Sequence, residues 1–326
     1  MFKHCLTLVL AVLLTTGMAN KQTALSEKDK AAVIEAAAIH LETDYVEAEE
    51  TGVAAASALR EAFESGAFDE AETGDAFADI LTDRLRTLTG DGHLGVEYST
   101  EAIATDDAGT DDFNADQAER YYGAHINYGV FKAERLDGNI GLLDLRVFPP
   151  IAMGAETIAG AMSMLADTDA LIIDLRKNGG GIGDTADFVA SYLFGTERQP
   201  LTGFYDKPTD TLTQSFTHPF VPGKRFGPDK PVYILISPQT FSAAEALSYN
   251  LQALGRATIV GETSGGGAHP FDNVPIHPQF VLASVTAKSV HPITGGNWQS
   301  VGVRPDIEVP SDQALGRALA ELSERG

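Results

Sequence analysis

Hydrophobic residues in the first third of the chain recur at the spacing of α-helices. The helical pattern runs from Ser26 to about Arg86, with breaks near Gly52, between residues 66 and 69, and at Gly74. Ser26 is followed by acidic residues, which is typical of a helix N-cap and first turn. Alanine-rich stretches follow, and residues 76–88 have apolar residues at helical spacing, which form a face to bury against neighbours. The pattern therefore predicts a small bundle of three or four helices.

Further along the chain, short apolar runs alternate with helical stretches. The predicted strands cover 94–98, 139–145, 170–175, 231–237, 257–260 and 279–289, and the predicted helices cover 155–165, 184–194, 242–254 and 312–321. The strand at 170–175 is apolar at successive positions, as expected when both faces are buried. Strand–helix–strand alternation favours right-handed crossovers and a largely parallel sheet. We therefore predict an α/β fold with an N-terminal helical bundle and an additional C-terminal β region.

The N-terminus has the features of a secretory signal peptide. Lys3 and His4 precede an apolar run, Leu6 to Thr15, that is too short to span a bilayer, and we expect cleavage near Ala19. An uncleaved anchor is the alternative. Cys5 is the only cysteine, so the mature chain would have no disulfide and no thiol nucleophile. Export without cysteine suits a bacterial envelope, and we predict a periplasmic protein without stable membrane insertion.

The charge of the chain restricts its partners. The 326 residues include 46 Asp and Glu against 23 Lys and Arg, a net charge of -23 at pH 7. Such an acidic surface repels phosphate groups, so nucleic acids and anionic lipids are not expected partners. The stretch from Thr105 to Glu119 is dense in aspartate, and we predict a solvated loop there.

The candidate nucleophile is Ser242, which lies at the start of a predicted helix directly after a buried strand. The N-terminal amides of that helix would stabilise a negative charge developing nearby. A simpler interpretation is that Ser242 only caps the helix, because serine is a common N-cap residue. Taken alone, the sequence favours the cap.

A glycine-rich stretch at 176–183 follows the strand at 170–175. Glycine allows the backbone to approach a ligand and to turn its N–H groups toward it. The stretch suits an oxyanion-stabilising loop, but residues 181–186 also match a dinucleotide-binding fingerprint. That fingerprint needs a tight turn at the strand end, whereas residues 176–178 intervene here. We prefer the oxyanion loop.

Two histidines are candidates for a general base. His93 lies in a glycine-flanked turn; such a residue is most simply an exposed loop residue, but its pKa range suits a base beside a nucleophile. His269 lies in a second glycine-rich stretch, 261–270, and ranks below His93 because the proline that follows it favours extended backbone. The chain has no HExxH motif or comparable spacing, so no metal site is predicted.

Taken together, six segments in this order resemble the C-terminal-processing (tail-specific) serine peptidase superfamily. They are Asp91–Leu94, Asn139–Leu143, Ile173–Gly180, Thr240–Glu245, Gly261–Thr263 and Gly302–Ile307. The tail-specific branch uses a lysine in the glycine loop and usually carries a PDZ domain. Residues 264–268 contain no lysine, and the stretch between His93 and Asn139 is too short for a PDZ domain. The chain instead resembles the branch of the tricorn protease core and the interphotoreceptor retinoid-binding protein modules.

This resemblance implies a crotonase/ClpP-like α/β core at 91–326, preceded by the signal peptide at 1–19 and the helical bundle at 20–90. It also implies an exported serine peptidase that acts on peptides or unfolded proteins without a metal or other cofactor. By the same resemblance the nucleophile is Ser242, the general base is His93, and the oxyanion hole consists of the backbone amides of Gly180 and Ala243.

Two positions depart from the tricorn-type pattern. That pattern supports its histidine through a preceding serine and a distant glutamate, where this chain has Gly92 and Gln299. A glutamine accepts a hydrogen bond but does not stabilise an imidazolium by charge, so Asp91 is a candidate substitute beside Gln299. The same departure keeps a second function open, a non-catalytic binding module for an apolar ligand or peptide.

Overall fold

The helices and strands are described by a computed structural model over residues 25–103 and 115–325. The predicted signal peptide and residues 105–114 of the acidic stretch lie outside the described residues. The α-helices are α1 (Glu27–Thr43), α2 (Val53–Glu64), α3 (Gly74–Thr89), α4 (Ala115–Tyr122), α5 (Ile151–Leu165), α6 (Gly183–Ser191), α7 (Ala243–Ala253) and α8 (Ala314–Arg325). A π-helix covers Ala48–Gly52, and 3-10 helices cover Ala124–Gly129 and Ser311–Gln313.

The strands form three sheets. They are β1 (Gly95–Tyr98), β2 (Val130–Leu136), β3 (Ile140–Leu145), β4 (Ala170–Asp174), β5 (Gly203–Asp206), β6 (Thr211–Thr213), β7 (Val232–Ile236), β8 (Thr258–Gly261), β9 (Asp272–His277), β10 (Phe280–Ser284), β11 (Ala287–Val290) and β12 (Ile307–Glu308). Among the described helices, none has both the length and the apolar character needed to cross a membrane.

The central sheet has six strands in the order β12-β8-β7-β4-β3-β2. Every neighbouring pair is parallel except β2 and β3. Successive residues of β4 point to opposite faces: Ile173 packs in the core formed with α5, α6 and α7, whereas Ile172 packs against α8. This two-sided burial explains the continuous apolar run in the sequence. The predicted α/β fold with a largely parallel sheet is confirmed.

The N-terminal helices confirm the predicted bundle and share their core with strands. The breaks near Gly52 and Gly74 coincide with the starts of α2 and α3. The apolar faces of α1, α2 and α3 enclose Val96 of β1 together with Phe280 and Leu282 of β10. The helices therefore pack directly on the small sheet β1-β10-β9. The division at residue 90 stays a prediction.

Two local predictions differ from the structure. The strand predicted at 279–289 is two strands, because the chain leaves the sheet β1-β10-β9 after β10 and enters the sheet β11-β5-β6 at β11. The buried Val285 lies at this change of sheet, where its carbonyl accepts a hydrogen bond from the Val46 amide. Residues 115–119, predicted as loop, form the start of α4.

Candidate active site

Ser242 occupies a strained backbone position at the start of α7. Its φ of 52° and ψ of -121° lie outside the extended region that helix N-caps adopt. A non-glycine residue at positive φ costs about 1–3 kcal/mol and persists only where the surroundings enforce it. The buried strand β7 ends just before this turn, so Ser242 lies at a sharp strand-to-helix junction. Ser242 is thus the N-cap of α7 and forms a capping box with Glu245, but it does so in a backbone conformation that ordinary N-caps do not adopt.

The glycine loop after β4 packs directly against this junction. A Cβ atom placed on Gly180, which has a φ of 107°, would lie 2.7 Å from the Cβ of Ser242 and 3.2 Å from the amide nitrogen of Ala243. Only glycine fits such an approach at this φ. The structure therefore brings together three of the residues predicted from the sequence, at the carboxyl ends of β4 and β7.

Asn178 joins these segments, and sequence reasoning assigned it no role. The buried Asn178 donates from Nδ2 to the Leu145 carbonyl (3.0 Å), and its backbone carbonyl accepts from the Phe241 amide (3.1 Å). Its Oδ1 accepts from the Gly180 amide at 2.8 Å. One of the two predicted oxyanion donors is therefore engaged within the chain, so its use by a substrate requires this bond to change.

Glu245 is the second residue that sequence reasoning did not assign. Its fully buried carboxylate accepts from Ser264 Oγ (2.5 Å) and from the amides of Gly266 (2.7 Å), Gly267 (2.8 Å) and Ser242 (2.9 Å). Burial raises the pKa of Glu245 to about 7, although the four donors act in the opposite direction. Glu245 therefore ties the Ser242 turn to the second glycine-rich loop. The signal in the sequence is its position three residues after the serine.

His93 lies beside the residue that precedes Ser242. Its ring centroid is 4.8 Å from that of Phe241 and 5.6 Å from that of Phe271. A Cβ on Gly267 would lie 2.7 Å from Cε1 of His93, so the second glycine loop closes over the imidazole. Burial lowers the pKa of His93 to about 4, which keeps the ring neutral at pH 7. No hydrogen bond joins His93 to the Ser242 hydroxyl, although both are among the described residues.

Asp91 lies beneath His93 and is fully buried. Its Oδ1 accepts from the His93 backbone amide at 2.9 Å and lies 3.8 Å from Nδ1 of the His93 ring. That ring nitrogen is buried and has no hydrogen-bond partner among the described residues. Burial alone would raise the pKa of Asp91, but His269 and His93 outweigh it and hold the pKa below its usual value. A charged carboxylate therefore faces the free ring nitrogen of the candidate base.

Gln299 has a different position from the one expected of a residue supporting the base. Its Oε1 accepts from the Ala268 amide at 2.8 Å, and its Nε2 lies 3.5 Å from Ser300 Oγ. It has no hydrogen bond to His93 in the described part of the chain. Of the two candidates for support of the base, the structure therefore brings only Asp91 to His93.

The dinucleotide alternative gains no support from the glycine loop. Gly181 packs so closely on Phe148 that an added Cβ would lie 2.2 Å from the Phe148 carbonyl oxygen. Gly180 packs in the same way against the Ser242 turn. The close backbone approach that these glycines permit is thus made to the chain itself, and not to an open ligand surface.

Comparison with protein families and a curated relative finds peptidases. Peptidase family S41 matches residues 139–309, more than half of the chain. This range includes Ser242, Gly180 and Gln299, whereas Asp91 and His93 precede it. The carboxy-terminal-processing protease of Bartonella bacilliformis is 28% identical over 193 residues, which are 54% of this chain and 40% of that protein. The chain thus spans less than half the length of this relative.

Solved structures share the fold. A candidate peptidase from Parabacteroides merdae superposes with a TM-score of 0.63 and 20% identity, covering 93% of this chain and 98% of that chain. The tricorn protease superposes with a TM-score of 0.57 and 12% identity, covering 91% of this chain and 37% of its own. At these identities the likeness shows a common architecture and carries no residue roles.

Proposed function

We propose, from the premise that this chain belongs to peptidase family S41, that it is a serine peptidase in which Ser242 is the nucleophile and His93 the general base. The backbone of Ser242 is the observation that carries this proposal. A serine held at positive φ, at the end of a buried strand and the start of a helix, exposes its hydroxyl at a sharp turn, as the nucleophiles of other hydrolases do. A plain helix cap needs no such strain.

The proposed reaction passes through an acyl-enzyme. Ser242 Oγ attacks the peptide carbonyl while its proton passes to Nε2 of His93, and the amides of Ala243 and Gly180 stabilise the oxyanion. Collapse of the tetrahedral intermediate breaks the C–N bond, and the leaving amine takes the proton from His93. Water then attacks the ester with His93 again as base, which releases the acid and restores Ser242.

The surroundings of His93 act on its basicity in two opposite ways. Burial keeps the ring neutral and weakens it as a base, whereas Asp91 Oδ1, which lies near the Nδ1 atom that becomes positively charged on protonation, favours proton uptake. A carboxylate in that position stabilises the imidazolium and selects the tautomer with a free Nε2. In the free enzyme such catalytic contacts are often long and shorten when substrate binds.

The location and the substrate are part of the proposal. The N-terminal sequence supports export to the periplasm, with cleavage near Ala19 and mature segments at 20–90 and 91–326. The acidic surface argues against nucleic-acid partners. The relative from Bartonella bacilliformis is named a carboxy-terminal-processing protease, which supports peptides or unfolded proteins as substrates.

A fluorophosphonate probe tests the proposal, because it reacts covalently with activated serines. We expect labelling of Ser242 and hydrolysis of unfolded protein by the full-length chain. Ser242→Ala should abolish both, a loss of about 10⁶-fold in kcat if the site behaves like other serine peptidases. Ser26→Ala, at another helix start, is the matched control and should keep both. A folded wild-type protein that is not labelled would contradict the proposal.

The second candidate function, a non-catalytic binding module for an apolar ligand or peptide, also has an observation in its favour. The Gly180 amide is engaged by Asn178, and Ser242 has no hydrogen bond to His93. A site used only for binding needs neither a free Gly180 amide nor a hydrogen bond between Ser242 and His93. Saturable binding of an unfolded polypeptide, with no labelling and no cleavage, would favour this module over the peptidase.

A further inference from the structure

Asp91 lies between the imidazoles of His93 and His269, and it is closer to that of His269. His269 Nδ1 is 2.6 Å from Asp91 Oδ2, and the Tyr45 hydroxyl donates to the same oxygen at 3.2 Å. The other oxygen, Oδ1, accepts a hydrogen bond from the His93 backbone amide and faces Nδ1 of the His93 ring. Burial and the charge of Asp91 raise the pKa of Tyr45, so its phenol stays protonated and remains a donor. The two sides of one carboxylate thus have separate partners.

The backbone next to His269 is held from both sides. The Ala268 amide donates to Gln299 Oε1 at 2.8 Å, and the Ala268 carbonyl accepts from Ser289 Oγ at 2.5 Å. His269 itself is only 2% exposed. Gln299 therefore contributes to the placement of His269, at a position where the resemblance suggested a partner of the base.

We propose that His269 is a positioning residue for the general base, acting through Asp91. The inference rests on the proposed peptidase function. By binding Oδ2, His269 fixes the rotation of the carboxylate, so that Oδ1 stays directed at Nδ1 of His93. When His93 accepts the Ser242 proton, the 3.8 Å gap between Nδ1 and Oδ1 closes to a charged hydrogen bond. His269 exchanges no proton in this scheme.

The alternative is that the pair of Asp91 and His269 only fills a polar position in the core. A core role predicts lower stability on substitution, without an effect specific to the chemical step. A positioning role predicts a lower kcat with an unchanged KM, because the oriented carboxylate matters most when His93 is charged.

Asparagine and glutamine at position 269 form a matched pair of variants in the full-length chain. The amide nitrogen of asparagine can occupy the place of the histidine Nδ1, whereas that of glutamine reaches the place of Nε2. His269→Asn should therefore keep most of the wild-type kcat and labelling rate. His269→Gln should lose about 10- to 100-fold in both, the range expected for a hydrogen bond to a charged group. The melting temperature of each variant is measured alongside.

Rescue of His269→Ala by added imidazole is an independent measurement. His269 lines a cavity of about 220 Å³ that Tyr45 and Gln299 also line. Truncation extends this space, and added imidazole should enter it and restore part of kcat. In the background of Asp91→Asn, the substitution His269→Gln should cost little further activity, because both act through one carboxylate.

The outcomes separate this inference from the proposed function. A wild-type protein without Ser242 labelling contradicts the peptidase proposal itself. If the wild-type protein is labelled, equal kcat values for His269→Asn and His269→Gln overturn the positioning role. Full additivity of His269→Gln with Asp91→Asn also overturns it. A kcat difference between the matched variants, together with imidazole rescue of His269→Ala, supports it.

Discussion

Two helix starts in this chain have the same sequence pattern and different structures. Ser26 precedes α1 and Ser242 precedes α7, and each serine is followed three residues later by an acid, Asp29 or Glu245. Ser26 is exposed with extended backbone, and its hydroxyl accepts from the Asp29 amide at 3.2 Å while donating to the Asp29 carboxylate at 2.6 Å. This is a cap that satisfies itself within one turn.

The turn at Ser242 is held by distant parts of the chain. Its positive φ is enforced by Gly180 from the loop after β4 and by Glu245, which also binds the loop containing Gly266 and Gly267. A local pattern that predicts a helix cap therefore accounts for all the contacts of Ser26 but only some of those of Ser242. What distinguishes the two is the number of long-range contacts, and these contacts can be removed separately.

The largest effect is expected where Gly180 packs against Ser242. Gly180→Ala places a Cβ 2.7 Å from that of Ser242, so the turn must shift, and we expect the labelling rate of Ser242 to fall about 100-fold or more. Gly183→Ala, in the same glycine-rich stretch, meets nothing within 4 Å and serves as the control. Equal labelling rates of the two variants, both with cooperative thermal unfolding, would contradict the importance of this contact.

The next effect is the pH-dependent contribution that Glu245 makes to the stability of the folded chain. The pKa of Glu245 is about 7, above its value near 4.3 in an unfolded chain, so the folded state loses stability as the pH rises from 5 to 8. Glu245→Gln removes this titration and leaves one or more amide donors unpaired, which costs about 1–3 kcal/mol. The difference in unfolding free energy between wild type and Glu245→Gln should therefore narrow over that range.

Glu262 provides the control for this titration. It accepts a hydrogen bond from the Ser311 amide at 2.8 Å, and the pKa of Glu262 is lowered first by its hydrogen bond with the Ser311 side chain and then by this amide bond. Because the carboxylate is charged in both the folded and unfolded states above pH 5, the effect of Glu262→Gln should stay constant from pH 5 to 8. Urea unfolding at several pH values gives both differences. A constant difference for Glu245→Gln as well would show that Glu245 is not the titrating group.

The smallest effect is the release of backbone strain. Ser242→Gly should raise the unfolding free energy by about 1 kcal/mol, because glycine adopts this φ without a Cβ penalty. Ser26→Gly should lower the unfolding free energy by only a few tenths of a kcal/mol, as expected for an exposed N-cap. Thermal unfolding of the two variants measures both changes. A loss of stability in Ser242→Gly larger than that in Ser26→Gly would mean that the Ser242 turn is not strained.

Much of the fold could be predicted from hydrophobic periodicity. The predicted strands at 139–145, 170–175, 231–237 and 257–260 correspond to β3, β4, β7 and β8, and three helices occupy the predicted bundle. The resemblance to the C-terminal-processing peptidases is likewise confirmed by the family match and by the curated relative. The strands that escaped prediction are short, such as β12, or exposed, such as β6, so they lack an apolar signal.

The candidate site was predictable only in part. Ser242, Gly180 and His93 were candidates because of their residue types and local turns, but only the resemblance to the peptidases assigned their roles. Asn178 and His269 owe their interest to partners distant in sequence, Leu145 in one case and Asp91 in the other. Hydrogen bonds between residues so far apart leave no periodicity and no fixed spacing by which they could be found.

The sequence by itself determined the alternation of strands and helices, the family, and the candidate serine with its histidine. The alternation follows from local patterns, since burial of a strand face or a helix start depends on neighbouring residues, whereas the family and its candidate serine and histidine follow from the resemblance of six segments to known peptidases. Only the tertiary structure decided that Ser242 is strained, that Asp91 and not Gln299 faces His93, and that His269 binds the same carboxylate. Those facts depend on how loops after different strands meet at one edge of the sheet, where the orientation of each polar group is set by partners from elsewhere in the chain.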